Sequence, residues 1–285
     1  MASIITLKRR IKAAQNVSKT TKAMQMIAAS KLKKAQAAAL ATRPYTEKLM
    51  YLSRGAISRI EDKSLHPYMK QHATSGKTLL VGISPDKGLC GGLITNLMRE
   101  FFSYQQKNVE SSYIVVGKKI EAQVTKLQKE VIASFVFGTI TPTFDMVYPI
   151  VRLINEYYVH EKVDSASILS AHFTSLFSQK PKITSLLPIT LPEDTKSQKD
   201  TSLYLFEPSA AEIVGPLLTH YIEIVLYQAL LESFVSEQAA RMIAMQNATD
   251  NANDMIEDLR LEYNKSRQAK ITSEILDITS GSLAN

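Results

Sequence analysis

The chain has 285 residues, 45% of them hydrophobic and 21% charged. This is enough to bury the core of one large or two modest domains, and too balanced for a disordered or fibrous chain. One cysteine, Cys90, excludes a disulfide framework and a cysteine-based zinc site, five scattered histidines argue against any metal centre, and no stretch approaches the roughly 18 uncharged apolar residues of a membrane span. The net charge of +7 is unevenly spread: residues 1–60 hold thirteen Lys and Arg against one acid, Glu47, whereas residues 207–285 hold twelve acids against five bases.

The first 43 residues contain neither Gly nor Pro. Ile4, Leu7, Ile11, Ala14, Val17, Thr21, Met24, Ala28, Leu32 and Ala35 recur at steps of three and four, which predicts a long helix with a heptad-like stripe. The basic start, Lys8, Arg9, Arg10, Lys12, Lys19 and Lys22, imitates a transit peptide, but the periodicity runs on past Ala28 and reads as permanent structure.

Apolar runs then alternate with helical patterns. Strands are expected at Thr78–Ser84, Tyr113–Val116, Val131–Phe137, Ala166–Leu176, Ile183–Ile189 and Ser202–Phe206. Helices are expected at Leu93–Gln106, Lys118–Lys129 and Thr143–Val159, with polar turns at Gln179–Pro181 and Pro192–Lys199. Such alternation predicts an α/β region with a parallel or mixed sheet.

The last helix opens at the capping box Ser209-Ala-Ala-Glu212, and 64 residues beyond Pro216 are free of Gly and Pro. From Pro216 to Thr279 the rod would be about 95 Å long at ~1.5 Å per residue. Its stripe runs through Leu217, Tyr221, Ile224, Gln228, Leu231, Val235, Met242, Met245, Thr249, Ala252, Met255 and Leu259, then Ile271, Ile275 and Ile278. Beyond Ser236 small residues dominate, so the seam buries little apolar area and calls for a surrounding partner. Opposite charge at the two ends points to helices that pair with each other, since like charges within each helix repel. The expected organisation is a helix over residues 1–60, an α/β insert over 61–206 and a second helix over 207–285.

Chemistry is harder to find. Ser84–Gly92 joins a strand to a helix, where phosphate loops occur, yet it fits neither G-x-x-x-x-G-K-[ST] nor G-x-G-x-x-G, and a tight turn is the simpler reading. Cys90 has no histidine nearby in sequence to act as its base. His66, His72, His160, His172 and His220 form no i,i+4 pair, and no GxSxG elbow exists. Asp250 with Asp254, and Glu257 with Asp258, read as a solvated helical face. Lys31, Lys33, Lys34, Arg43, Lys48, Arg54 and Arg59 would attract phosphate backbones, but only Tyr45 and Tyr51 stand among them to stack on bases. A basic coiled-coil nucleic-acid protein, and an enzyme using the Gly88–Gly92 loop, are the rival readings; neither accounts for the uninterrupted C-terminal helix.

Residues 4–36, above all Thr20–Gln36 (TTKAMQMIAASKLKKAQ), resemble the N-terminal helix of the γ subunit family of F-type ATP synthases. Ser236–Asn251 (SEQAARMIAMQNATDN) and Tyr263–Gly281 (YNKSRQAKITSEILDITSG) resemble that family's C-terminal signature, and Gly88–Gly92 with Asn96 its insert-domain motif. The resemblance implies an α/β chain: a long antiparallel coiled coil of N- and C-terminal helices plus a Rossmann-like α/β insert domain that binds no nucleotide. It implies a non-catalytic rotor shaft turned by the c-ring, which drives binding changes at three β sites. Partners would be three α and three β subunits, the ε subunit and the c-ring. No cofactor or metal would be held by this chain, nucleotide and Mg being bound by α and β.

Residue by residue, the resemblance implies β contacts for Met24 and Arg241, at the acidic loop at the foot of β. Further β contacts would be Arg267, Gln268, Thr272 and Glu274, higher in the cavity. Ile275, Ile278 and Leu283 would be the tip in an apolar bearing, and Tyr204 and Glu207 would lie near the c-ring and ε. Lys31, Lys33 and Lys34 suit the same acidic loop by charge alone. A single cysteine departs from the thiol-regulated chloroplast form. The match begins at the N-terminus without a presequence, and Ala28–Gln36 looks bacterial, which implies a peripheral place on the cytoplasmic face of a bacterial inner membrane, with a trimmed organellar chain as the alternative. The coupling ion, H⁺ or Na⁺, stays open.

Overall fold

The computed structural model describes residues 4–57, 66–70, 72, 75–136, 138–189, 207 and 209–283. Helix α1 covers Ile4–Ile57 and continues through Pro44, while α5 covers Ala210–Leu283 and continues through Pro216. The predicted start of α5 is a true cap: Ser209 Oγ accepts from the Glu212 amide at 3.3 Å and lies 3.2 Å from Glu212 Oε1. Contacts gather the chain into two compact units, Met1–Ala29 with Arg241–Asn285, and Ser30–Ala240.

The larger unit holds β1 (Thr78–Ile83), α2 (Leu93–Lys107), β2 (Ser111–Val116), α3 (Lys118–Lys126), β3 (Val131–Phe135), α4 (Tyr148–Val159), β4 (Ser165–Phe173) and β5 (Gln179–Leu187). The sheet order is β3-β2-β1-β4-β5, with β5 alone antiparallel. This is a doubly wound, Rossmann-like sheet with an antiparallel edge. Strands β1 and β2 are buried on both faces, which is why Leu79–Ile83 and Tyr113–Val116 carry no charged residue and are almost wholly apolar. Leu79, Val81 and Ile83 of β1 join Ile114, Ile150, Ile154 and Ile168 in one core, whereas Leu80 turns to the other face with Leu97, Phe101, Tyr113 and Ile120. Gly82 leaves room for α3: a Cβ there would stand 3.0 Å from Ile120 Cγ2.

Three expectations need correction. Gln179–Pro181 is not a turn but the first part of β5; β4 ends at Phe173, and the reversal is Thr174–Ser178, closed by the Thr174 and Ser175 amides donating to the Ser178 carbonyl. Periodicity places no turn there, because Leu176 and Phe177 are apolar although 39% and 82% exposed. The helix Thr143–Val159 is broken into a 3₁₀ turn, Phe144–Met146, and α4, with Pro149 in the first turn of α4. The apolar content of α5 includes an 18-residue window of mean hydropathy 1.3, long and apolar enough to cross a membrane by length and composition. Val214, Leu218, Ile222, Leu226 and Leu230, at i,i+4 spacing, spend that apolarity on the core of the sheet. The expected strand Ser202–Phe206 and turn Pro192–Lys199 lie outside the described residues.

In the smaller unit, α1 and α5 run antiparallel, as the bonds Ser18 Oγ to Asn253 Oδ1 (2.8 Å) and Thr21 Oγ1 to Thr249 Oγ1 (2.7 Å) require. Leu7, Ala14 and Ala28 of α1 and Met245, Thr249, Ala252 and Ile256 of α5 are buried. The seam of α5 thus steps from Ala252 to Ile256, leaving Met255 58% exposed where the stripe put it inside. Among the described residues, the named bonds across this seam join neutral groups. Lys8, Arg9, Arg10, Lys12, Lys19 and Lys22, like Asp250, Asp254, Glu257, Asp258 and Glu262, are exposed. An exposed ion pair contributes little against the entropy of holding two long side chains, so charges face outward and short hydroxyls face in.

Candidate functional site

Rossmann-like sheets take ligands outside the carboxyl ends of the strands, at the point where the strand order reverses. In this chain that crevice lies beyond β1 and β4 and is filled by the protein itself. Leu230, Ser233, Phe234 and Glu237 of α5 line a cavity of only about 40 Å³ there, together with Ser84, Asp86 and Gly117. Ser233 Oγ accepts from the Ala171 amide at 3.1 Å and Ser236 Oγ donates to the Ala171 carbonyl at 3.1 Å, which seats α5 on the end of β4.

The loop after β1 is equally occupied. Asp86 accepts from the Lys118 amide (3.1 Å) and the Gly138 amide (2.8 Å), and Ser84 Oγ accepts from the Ile120 amide (3.0 Å). The Lys118 and Ile120 amides at the N-terminus of α3 are thus bound to side chains of the loop after β1. The sequence draws attention to Ser84–Gly92, but Asp86 as the knot between three loops has no signal in it, because its partners are backbone amides 32 and 52 residues away. Cys90 is buried, and no group of three metal-binding side chains occurs among the described residues.

The surfaces available to other proteins are different in kind. On the smaller unit Ile5, Val17, Met26 and Ile27 of α1 are more than half exposed, as are Met255, Leu261, Ile275 and Leu276 of α5. A groove of about 560 Å³ runs between the helices, walled by Ala13, Ala14, Val17, Ala248, Ala252 and Met255. Alanines let the backbones approach yet cannot fill the space between them, so apolar surface is left open.

The sequence-predicted positions fall on these surfaces in part. Met24 is 39% exposed and Arg241 is half-buried. Arg267, Gln268, Thr272 and Glu274 are exposed along one stretch of α5; Thr272 Oγ1 donates to the Gln268 carbonyl and Glu274 pairs with Lys270 at 3.6 Å. Ile275 is 55% exposed. Ile278 and Leu283 belong to α5, but their side chains lie outside the described residues, as does Tyr204; Glu207 is exposed at a bend. In the larger unit Lys33 and Lys34 are exposed, whereas Lys31 is not a free cation: its Nζ donates to the Thr139 carbonyl at 2.7 Å.

Fold and surface together define a chain with two long terminal helices, antiparallel where they pair in the smaller unit, and a Rossmann-like sheet in the larger one. The family model described as ATP synthase matches residues 3–284. ATP synthase gamma chains of Dehalococcoides mccartyi and Herpetosiphon aurantiacus are each 38% identical, over 100% of this chain and 99% of theirs. That of Xylella fastidiosa is 35% identical over the full length of both. The chain belongs to the ATP synthase gamma chain family. Its fold is also that of a chain in the Tetrahymena thermophila mitochondrial ATP synthase central stalk and c-ring (TM-score 0.61, 24% identity, 80% of this chain and 99% of that one). A chain of the Euglena gracilis mitochondrial enzyme is similar as well (TM-score 0.58, 22% identity, 92% and 95%).

Proposed function

We propose that this chain is the central rotor shaft of an F-type ATP synthase, coupling ion-driven rotation of the c-ring to conformational change at the catalytic β subunits. The correspondence with gamma chains from end to end carries the reading. In it the helices of residues 1–60 and 207–285 form the shaft and residues 61–206 the insert. The partners are three α and three β subunits, ε and the c-ring, on the cytoplasmic face of a bacterial inner membrane, with the chain peripheral to the lipid. In the rotary cycle the chain makes and breaks no covalent bond and holds no nucleotide, metal or other cofactor; these belong to α and β.

The physical role is allosteric. A ligand or partner shifts a conformational equilibrium only by its differential contacts with the two states. A helical pair with a basic exposed face on α1 and an acidic one on α5 is different on every side. Each orientation therefore offers a given β subunit a different set of contacts, and rotation converts one into the next. Met24, Arg241, Arg267, Gln268, Thr272 and Glu274 are the proposed β contacts, Ile275, Ile278 and Leu283 the bearing tip, and Tyr204 and Glu207 the contacts to c-ring and ε. The open apolar surface of the smaller unit suits enclosure by such a sleeve.

The reading is tested by affinity purification from detergent-solubilised membranes, with the tag inserted between Pro192 and Lys199 so that both terminal helices stay unmodified. Co-purification of α and β subunits with Mg-dependent ATPase activity is expected. Recovery of the bait alone, or with nucleic acid that salt removes, would overturn it.

A further inference from the structure

Three side chains that lie far apart in sequence form a hydrogen-bonded row in the larger unit. Tyr45 Oη of α1 is 2.8 Å from His220 Nε2 of α5, and His220 Nδ1 is 3.0 Å from Glu223 Oε2, one turn further along. A carboxylate only accepts, so Nδ1 carries the hydrogen, and Nε2 of the neutral ring turns its lone pair to Tyr45. The phenol therefore donates. Hydroxyl, imidazole base and orienting carboxylate stand in the order that activates a hydroxyl for attack.

The surroundings hold this geometry and leave it accessible. Phe144 stands edge-on to the imidazole with centroids 6.0 Å apart, and the Tyr45 ring does so at 5.9 Å. The Glu223 side chain is 16% exposed, so its charge acts from a partly desolvated place, whereas Tyr45 is 51% exposed and within reach of a reagent. Tyr113 and Tyr158, by contrast, are fully buried, and Tyr158 Oη donates to the Lys70 carbonyl. The rotor function assigns the row no task.

We propose that Tyr45 is an acylation site for activated acyl donors, with His220 as general base and Glu223 as its positioning residue. In the step, Oη attacks the acyl carbon and forms the aryl ester. The bond from that carbon to the leaving group breaks and its electron pair departs with the leaving group. The phenol proton passes to His220 Nε2 and from there to the leaving group, so nothing is oxidised or reduced. The ester has no hydrogen to donate, and modification thereby removes the bond that ties α1 to α5 at this level.

The full chain is treated with N-acetylimidazole, and acetylation rates are followed residue by residue by mass spectrometry. Tyr148, 48% exposed, is the internal reference. General-base assistance predicts that Tyr45 reacts about tenfold or more faster than Tyr148, and that His220→Gln removes this advantage with the Tyr148 rate unchanged. Glu223→Gln lowers the Tyr45 rate and Glu223→Asp recovers part of it. Equal rates at Tyr45 and Tyr148 in the wild type overturn the proposal. So does a faster Tyr45 in His220→Gln, because a histidine that only shields the hydroxyl exposes it when removed. Should His220→Gln fail to fold, the wild-type ratio decides alone.

Discussion

Thr21 Oγ1 and Thr249 Oγ1 lie 2.7 Å apart across the helical pair, and Thr249 also donates to the Met245 carbonyl one turn back, at 2.8 Å. A half-buried hydroxyl pair in a seam of small residues fixes register where alanine alone would allow sliding. Thr249→Val removes one partner while Thr21 keeps the Val17 carbonyl at 3.0 Å as an acceptor. The expected loss is about 1 kcal/mol, the net worth of an ordinary hydrogen bond, read as a lower denaturation midpoint at unchanged slope. An unchanged midpoint would show that the pair adds nothing.

Gly117 and Gly82 make a contrasting pair in the α/β unit. Gly117 has φ +97°, and a Cβ there would stand 2.0 Å from the Ser84 carbonyl oxygen, a backbone atom that cannot turn aside. At Gly82 the obstacle is the Ile120 side chain at 3.0 Å. Gly117→Ala is expected to cost more than about 3 kcal/mol and Gly82→Ala clearly less. Thermal unfolding of both variants decides; equal melting temperatures would refute the close approach.

Burial, with the charge of Asp164 adding to it, pushes the Tyr158 phenol from 10.0 up to about 12. A raised pKa means the neutral phenol is favoured in the folded state. Its contribution is whole below pH 10, the unfolded value, and is lost as pH rises from 10 to 12. The denaturation midpoint of the wild type should fall more steeply over that window than that of Tyr158→Phe. Parallel curves would contradict the shift.

Met24, 39% exposed on α1, is a proposed contact with an acidic loop of β. Met24→Lys places another cation there and tightens one orientation over the others, so proton pumping per ATP hydrolysed should drop while the chain folds normally. Reconstituted vesicles measure the ratio directly. A wild-type ratio removes Met24 from the contact.

The extent to which the sequence is readable follows from the range of the interactions. The absence of Gly and Pro over 64 residues and the capping box at Ser209 announce α5 before any coordinate, because helix formation and capping are local. The strand–helix alternation announces the sheet for the same reason. Local patterns fail where a choice is tertiary. Lys31 reads as one of three exposed cations, yet a carbonyl 108 residues away takes its ammonium. Leu176 and Phe177 extend an apolar run that the hairpin turn nevertheless exposes.

What residue order alone determined is the helix–sheet–helix plan and the family, since both rest on periodicity and on motifs read along the chain. Tertiary structure decided the rest. It set α5 and Asp86 at the crevice beyond β1 and β4, turned the charges of the helical pair outward, and brought Tyr45 to His220. Each of these depends on which distant groups the fold sets within hydrogen-bonding or packing range, a property of three-dimensional proximity that spacing along the chain does not encode.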